Sequence, residues 1–159
     1  MKQYKDKKII RLQNYDYSAN GAYFITICTH NREHLFGSVG ADSISARMVK
    51  KVYGEIIGKY DNVSSPISVV MPNHFHSIII IERNDTEVVP SISKIVQEFK
   101  RYTTCEYIKL VKNGILKPFD KRIWQRSFYD HIIRNENDFN EIWMYIENNP
   151  LKWQEDCYY

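Results

Sequence analysis

Cysteine is scarce in this chain: Cys28, Cys105 and Cys157 are the only three in 159 residues, an odd number without paired spacing. That excludes a disulfide framework and a zinc knuckle, and it points to a reducing compartment, the cytoplasm. No apolar run approaches the roughly 20 residues that span a bilayer, so no membrane segment is expected. The opening MKQYKDKK lacks the apolar core of a secretory signal. Repeats and low-complexity segments are also missing. With no shift of composition to mark a boundary, a single domain over 1–159 is expected. Net charge is only +3, too mild to name a partner.

The distribution of charge says more. Lys2, Lys5, Lys7, Lys8 and Arg11 form a basic N-terminal arm. A second basic stretch runs from Lys94 to Arg126 and includes Lys100, Arg101 and Arg122, while acids gather from Glu136 to Asp156. Such a belt suits a phosphate-bearing substrate, although any one of these lysines reads equally well as a solvated helix face.

Strands and helices alternate along the chain. Tyr23–Thr29 is rich in β-branched and aromatic residues and reads as a first strand. Ile44, Met48, Val52, Ile56 and Ile57 recur at helical spacing over 44–60. After Pro66, Ile67–Met71 reads as a second strand, and beyond a tight corner at Asn73 comes a third, His74–Ile81, forming a hairpin with it. Pro90 and Ser91 open a second helix with Ile92, Ile95, Val96, Phe99 and Tyr102 on one face. Residues 113–122 read as a loop and Ile123–Ile133 as extended. Asn137 or Asp138 caps a last helix ending at Asn149-Pro150. The order strand, helix, strand, strand, helix, strand is that of an α+β, ferredoxin-like sandwich (βαββαβ), with the first and third strands central and a C-terminal helix added.

Chemistry concentrates in Met71-Pro72-Asn73-His74-Phe75-His76. In a strand, His74 and His76 point to one face while Phe75 points to the other, into the core. Two imidazoles are thereby offered to one metal ion, unless both are simply hydrogen-bonded to backbone. On the last helix Tyr145 and Asn149, four apart, share a face, with Glu141 one turn earlier. A phenol beside a divalent metal can lose its proton and attack a phosphodiester, leaving a covalent phosphotyrosine. Asn149 would add an oxygen ligand to two imidazoles, a set tolerant of Mg²⁺ or Mn²⁺, with Glu141 as the alternative third ligand. On spacing alone, Tyr145 in a chain with 12 tyrosines is also readable as a core aromatic.

The sequence resembles the single-tyrosine HUH transposases of bacteria, and among them the REP-associated tyrosine transposases. The resemblance rests on Arg11-Leu12 through Tyr17, Gly21–Thr29, Val70–His76, Trp124–Asn135 and Tyr145–Pro150, five stretches in the family's order. It implies that His74 and His76 bind the metal, that Tyr145 is the nucleophile, and that Asn149 is the polar third ligand. It also implies attack on single-stranded DNA, giving a 5′-phosphotyrosine and a free 3′-OH at hairpin-associated sites, by a monomer or a homodimer.

Lys100 and Arg101 are candidate phosphate contacts, joined by Arg122 and Arg126. Trp124 is a candidate for base stacking, or else core. His131 is a candidate DNA contact or support for the site, with a structural histidine as the alternative; His30 and His34 read as loop residues without a role. Tyr129 is a rival nucleophile that lacks a partner one helical turn away. Two other readings compete with the nickase: a regulatory binder of DNA hairpins with little or no catalysis, and a zinc hydrolase using water as nucleophile. Tyr145→Phe separates them.

Overall fold

A computed structural model describes residues 16, 19–39, 42–84 and 88–158. The basic N-terminal arm and most of the Arg11–Tyr17 stretch lie outside those residues. Gly21–Cys28 forms β1, Ile44–Ile57 α1, Val63–Met71 β2, His74–Ile81 β3, Ile92–Lys112 α2, Tyr129–Ile133 β4 and Glu136–Asn148 α3. The four strands make one antiparallel sheet in the order β2-β3-β1-β4, so β1 and β3 lie together at its centre, as the sequence implies. The architecture is the expected α+β sandwich with α3 added.

Strand alternation divides the core in two. Phe75, Ile79 and Ile81 of β3 join Tyr23, Ile25 and Ile27 of β1 under α1 and α2, where Val52, Ile56, Ile95 and Phe99 complete the main core. Phe75 stacks on Phe99 with ring centroids 4.8 Å apart and is fully buried. The opposite face of the same strands is covered by α3, where Ile142 and Ile146 pack on Phe24 and Ile78. Each buried isoleucine there contributes roughly 1.5–3 kcal/mol, so α3 is held by a small patch.

Several boundaries differ from the sequence reading, each for a local reason. Strand β2 starts at Val63 rather than Ile67, and Pro66 falls within the register shift between Ser64 and Ile67, where a missing N–H costs no ladder bond. Ser91 caps α2, accepting from the Lys94 amide at 3.2 Å. Its buried face is Ile92, Ile95, Val96, Phe99, Thr103 and Tyr107; the helical period carries past Tyr102, which is exposed. On α1, Val49, Val52, Tyr53 and Ile56 are buried while Ile44 is exposed. The cap of α3 is Asn135, whose side chain accepts from the Asp138 amide at 2.9 Å, so Asn137 and Asp138 lie inside the first turn.

The extended stretch foreseen over Ile123–Ile133 is strand only from Tyr129, apart from a single bridge between Thr29 and Trp124. The ammonium of Lys100 explains the gap. It donates to the carbonyls of Gln125, Arg126 and Ser127 at 2.8, 3.2 and 2.9 Å, taking acceptors that a ladder would use. No helix among the described residues is long and apolar enough to cross a membrane.

Candidate active site

His74 and His76 begin β3 and project from the sheet face that α3 covers; both are fully buried. Their Nδ1 atoms are engaged from behind. Nδ1 of His74 lies 2.8 Å from Oδ1 of Asn73, and Nδ1 of His76 lies 2.8 Å from the hydroxyl of Thr26, its register partner on β1. That leaves each Nε2 for the interior of the site. Nε2 of His76 has no hydrogen-bond partner among the described residues, although it is buried. A buried polar atom without a partner costs about 1–3 kcal/mol, and a cation facing the nitrogen's lone pair would remove that cost.

Helix α3 turns Ile142, Tyr145, Ile146 and Asn149 toward the sheet, the spacing of one apolar stripe. The Tyr145 ring sits 5.3 Å from that of His76 and 6.0 Å from that of Phe24. Oδ1 of Asn149 lies 3.2 Å from Nε2 of His74. Glu141, the alternative third ligand, is exposed. The helix thus brings together four of the foreseen residues, His74, His76, Tyr145 and Asn149.

Sequence reasoning missed the segment beyond α3. Asp156 places Oδ2 3.5 Å from Nε2 of His74 with its side chain buried, and accepts from Nδ2 of Asn149 at 2.6 Å. One ligand atom each from His74, His76 and Asp156 lies within 4.8 Å of the others, the size of a divalent-cation site. Tyr158 covers the imidazoles, with ring centroids 4.8 Å from His74 and 5.7 Å from His76. Its carbonyl accepts from Nδ2 of Asn73 at 2.7 Å. Trp153 stacks on His74 at 5.8 Å and meets His34 at 5.7 Å, so His34 has a packing role that its loop position hid. Arg32, at a φ of 55°, holds its guanidinium 5.9 Å from the Tyr158 ring and donates to the Cys157 carbonyl at 3.3 Å. Nothing periodic links this segment to the histidines; only the tight turn between β2 and β3 hinted at Asn73.

Electrostatics follow from burial. Burial pushes the His74 imidazole down to about 4, while the Asp156 charge and the Asn149 hydrogen bond pull it upward. His76 is pushed well below its ordinary value by burial and then by His74, against a backbone hydrogen bond at Ile25. Both rings are therefore neutral near pH 7, the form that ligates metals. Tyr145 is shifted the other way. Burial and then the Asp156 charge raise its phenol far above the usual range, with Cys157 and Tyr158 adding to the shift once they ionise, opposed by a hydrogen bond with Asn149.

The candidate DNA contacts are scattered by comparison. Lys100 is spent on the three carbonyls of the 125–127 loop. Trp124 is buried, its indole N–H donating to Thr103 Oγ1 at 2.9 Å, so it is core and cannot stack on a base. Nε2 of His131 lies 2.8 Å from Asp138 Oδ2, tying β4 to the first turn of α3. Arg101 and Arg126 are exposed and Arg122 is half-buried. Tyr129, on edge strand β4, packs 6.1 Å from Phe24.

A histidine pair on a central strand, faced by a tyrosine from a helix on the same side, is the layout of a single-tyrosine transposase. Residues 17–149 match the sequence profile of the IS200-like transposases, and the chain belongs to that family. A Haemophilus influenzae protein of unassigned function is 33% identical, the match covering 96% of this chain and 93% of that protein. A second protein from that organism, provisionally named a REP-associated tyrosine transposase, is 29% identical over 89% of this chain and 77% of its own. Among solved structures, a REP-associated tyrosine transposase bound to a REP hairpin shares the fold, with TM-score 0.64, 23% identity, and coverage of 91% of this chain and 74% of that one. A Deinococcus radiodurans protein provisionally described as a transposase aligns with TM-score 0.55 and 16% identity, over 88% of this chain and 97% of its own.

Proposed function

We propose that this protein is a divalent-metal-dependent nickase and strand transferase for single-stranded DNA, acting at hairpin-associated sites through Tyr145. The observation that carries the reading is the placement of the Tyr145 ring 5.3 Å from His76, on a helix that also brings Asn149 to His74. Family membership and the named relatives point to the same chemistry.

His74 and His76 would hold the cation with an oxygen donor from Asn149, the two Nδ1 contacts fixing the rings so that Nε2 faces inward. Bound there, Mg²⁺ or Mn²⁺ supplies positive charge that polarises a phosphodiester and offsets the burial that keeps the Tyr145 phenol protonated. The Tyr145 oxygen then attacks phosphorus. The phenol releases its proton as the new bond forms, the bond to the 3′ oxygen breaks, and that oxygen takes up a proton to leave as a 3′-OH. The product is a 5′-phosphotyrosine, which the 3′-OH of the same or another strand reverses. Exposed Arg101 and Arg126 are available to phosphates, which position a strand without reading it.

A second reading has one observation in its favour. The two histidines are fully buried beneath Asp156 and Tyr158, which favours a hairpin binder with little catalysis. One experiment decides between them: labelled hairpin DNA from repeats beside the gene is incubated with Mn²⁺ and resolved on a denaturing gel. A metal-dependent covalent adduct, absent in Tyr145→Phe, is expected. Binding without adduct across several hairpins would favour the regulatory binder, and an adduct persisting in Tyr145→Phe would refute the nucleophile.

A further inference from the structure

We propose that Asp156 is itself a ligand of the metal, delivered to His74 and His76 by the segment that follows α3. The inference rests on the divalent-cation reading above and deepens it. It concerns a residue beyond the 17–149 span that matches the family.

The argument starts from hydrogen-bond directions. Asn73 donates from Nδ2 to the Tyr158 carbonyl at 2.7 Å, so the atom it turns to Nδ1 of His74 is its oxygen, at 2.8 Å. Asn149 donates from Nδ2 to Asp156 Oδ2 at 2.6 Å, so it too presents its oxygen to His74, at 3.2 Å from Nε2. Asp156 Oδ2 adds another acceptor at 3.5 Å from the same nitrogen. Both nitrogens of one buried ring thus face atoms that can only accept.

A neutral imidazole has a single N–H. In that metal-ligating form, with the proton on Nδ1 and donated to Asn73, Nε2 turns its lone pair toward Asn149 Oδ1 and Asp156 Oδ2. A cation in their midst turns three repelling lone pairs into three ligands. The bare Nε2 of His76 provides a fourth. One ligand atom each from His74, His76 and Asp156 lies within 4.8 Å of the others.

Asp156 is the group in this set that carries full charge. Its side chain is buried, with Oδ2 held by Asn149 and Oδ1 accepting from the Tyr158 amide at 3.1 Å. A carboxylate buried this way calls for positive charge beside it, which a cation held with His74 and His76 would supply. The exposed neighbours Gln154, Glu155 and Cys157 show that burial at this position is specific to Asp156. Asn149 acquires a second task as the residue that aligns the carboxylate.

The test is Mn²⁺ titration of the full chain, by calorimetry and by the spin-resonance signal of free Mn²⁺, with Asp156→Asn and His76→Ala in parallel. A ligand role predicts that Asp156→Asn weakens binding by about tenfold or more, with its metal-free melting temperature near that of wild type. Binding within about twofold of wild type, with His76→Ala strongly impaired, would overturn the proposal and leave the histidine site intact. A wild-type chain that binds no Mn²⁺ would remove the cation reading, and this inference with it. Should Asp156→Asn not fold, infrared difference spectra of ¹³C-aspartate-labelled wild type decide. One equivalent of Mn²⁺ should shift a labelled carboxylate band, and an unshifted band would overturn the assignment.

Discussion

The hydroxyl of Thr26 lies 2.8 Å from Nδ1 of His76, across a register pair that joins the two central strands. A threonine at that point fixes which imidazole nitrogen is turned inward, so the ring's orientation is set by a buried residue behind it on the neighbouring strand. Thr26→Val keeps the shape and removes the hydroxyl. Mn²⁺ affinity should fall about tenfold, as when other supports behind a metal ligand are lost, while stability drops by only about 1 kcal/mol. Titration and thermal melts measure both. Unchanged affinity would mean that packing alone orients the ring.

Lys100 was a candidate phosphate contact, yet its ammonium donates to three consecutive carbonyls. Lys100→Met should therefore lower stability by roughly 1–2 kcal/mol, in the range of bonds from a charged donor. Hairpin affinity at fixed salt should change less than for Arg126→Ala. A Lys100→Met protein that melts normally but loses hairpin binding would restore the DNA-contact reading.

Tyr53 gives a pH signature independent of the active site. Its hydroxyl donates to Ser65 at 2.8 Å and pairs with Ser77, and burial pushes the phenol from 10.0 up to about 12. The folded state thus favours the protonated form. This contribution is fully present below pH 10 and is lost as pH rises from 10 through about 12. Tyr53→Phe should cost about 1 kcal/mol near neutrality and should flatten the alkaline loss of stability, as read from urea midpoints across that range. An identical alkaline slope in the variant would contradict the assignment.

Tyr158 shields the imidazoles. In metal-free protein, diethyl pyrocarbonate should modify His74 and His76 far more slowly than the histidines outside the site. Tyr158→Ala should raise the rate at these two by about tenfold or more, the scale of losing about 1.4 kcal/mol of protection. Peptide mass spectrometry separates the five histidines of the chain. Equal rates in wild type and variant would show that the cover lies elsewhere.

The sheet and the histidine pair were legible in the sequence because a strand's period of two is local: His74-Phe75-His76 alternates and runs straight into the β-branched stretch Ile78–Ile81. Tyr145 and Asn149 were legible for the matching reason on α3, where four residues make one turn. Spacing left Trp124 open between base stacking and core, and Lys100 between phosphate contact and helix face, because their roles are set by long-range partners, Thr103 and the 125–127 carbonyls; for Trp124 it is the core alternative that holds. Asp156 and Tyr158 carried no signal at all. They follow the helix in an irregular segment where neither periodicity nor spacing relates them to β3, and only folding brings them to His74.

The division of the core into two unequal parts has a kinetic consequence. Tyr145, Asn149, Asp156 and Tyr158 all belong to the stretch from α3 onward, which is anchored mainly through Ile142 and Ile146, whereas His74 and His76 belong to the central strands. Local opening costs least where few apolar side chains are buried. Amide exchange should accordingly be fastest in α3 and slowest in β1 and β3. Each transient opening would carry phenol, amide, carboxylate and aromatic cover away together, leaving two preset imidazoles to receive them again.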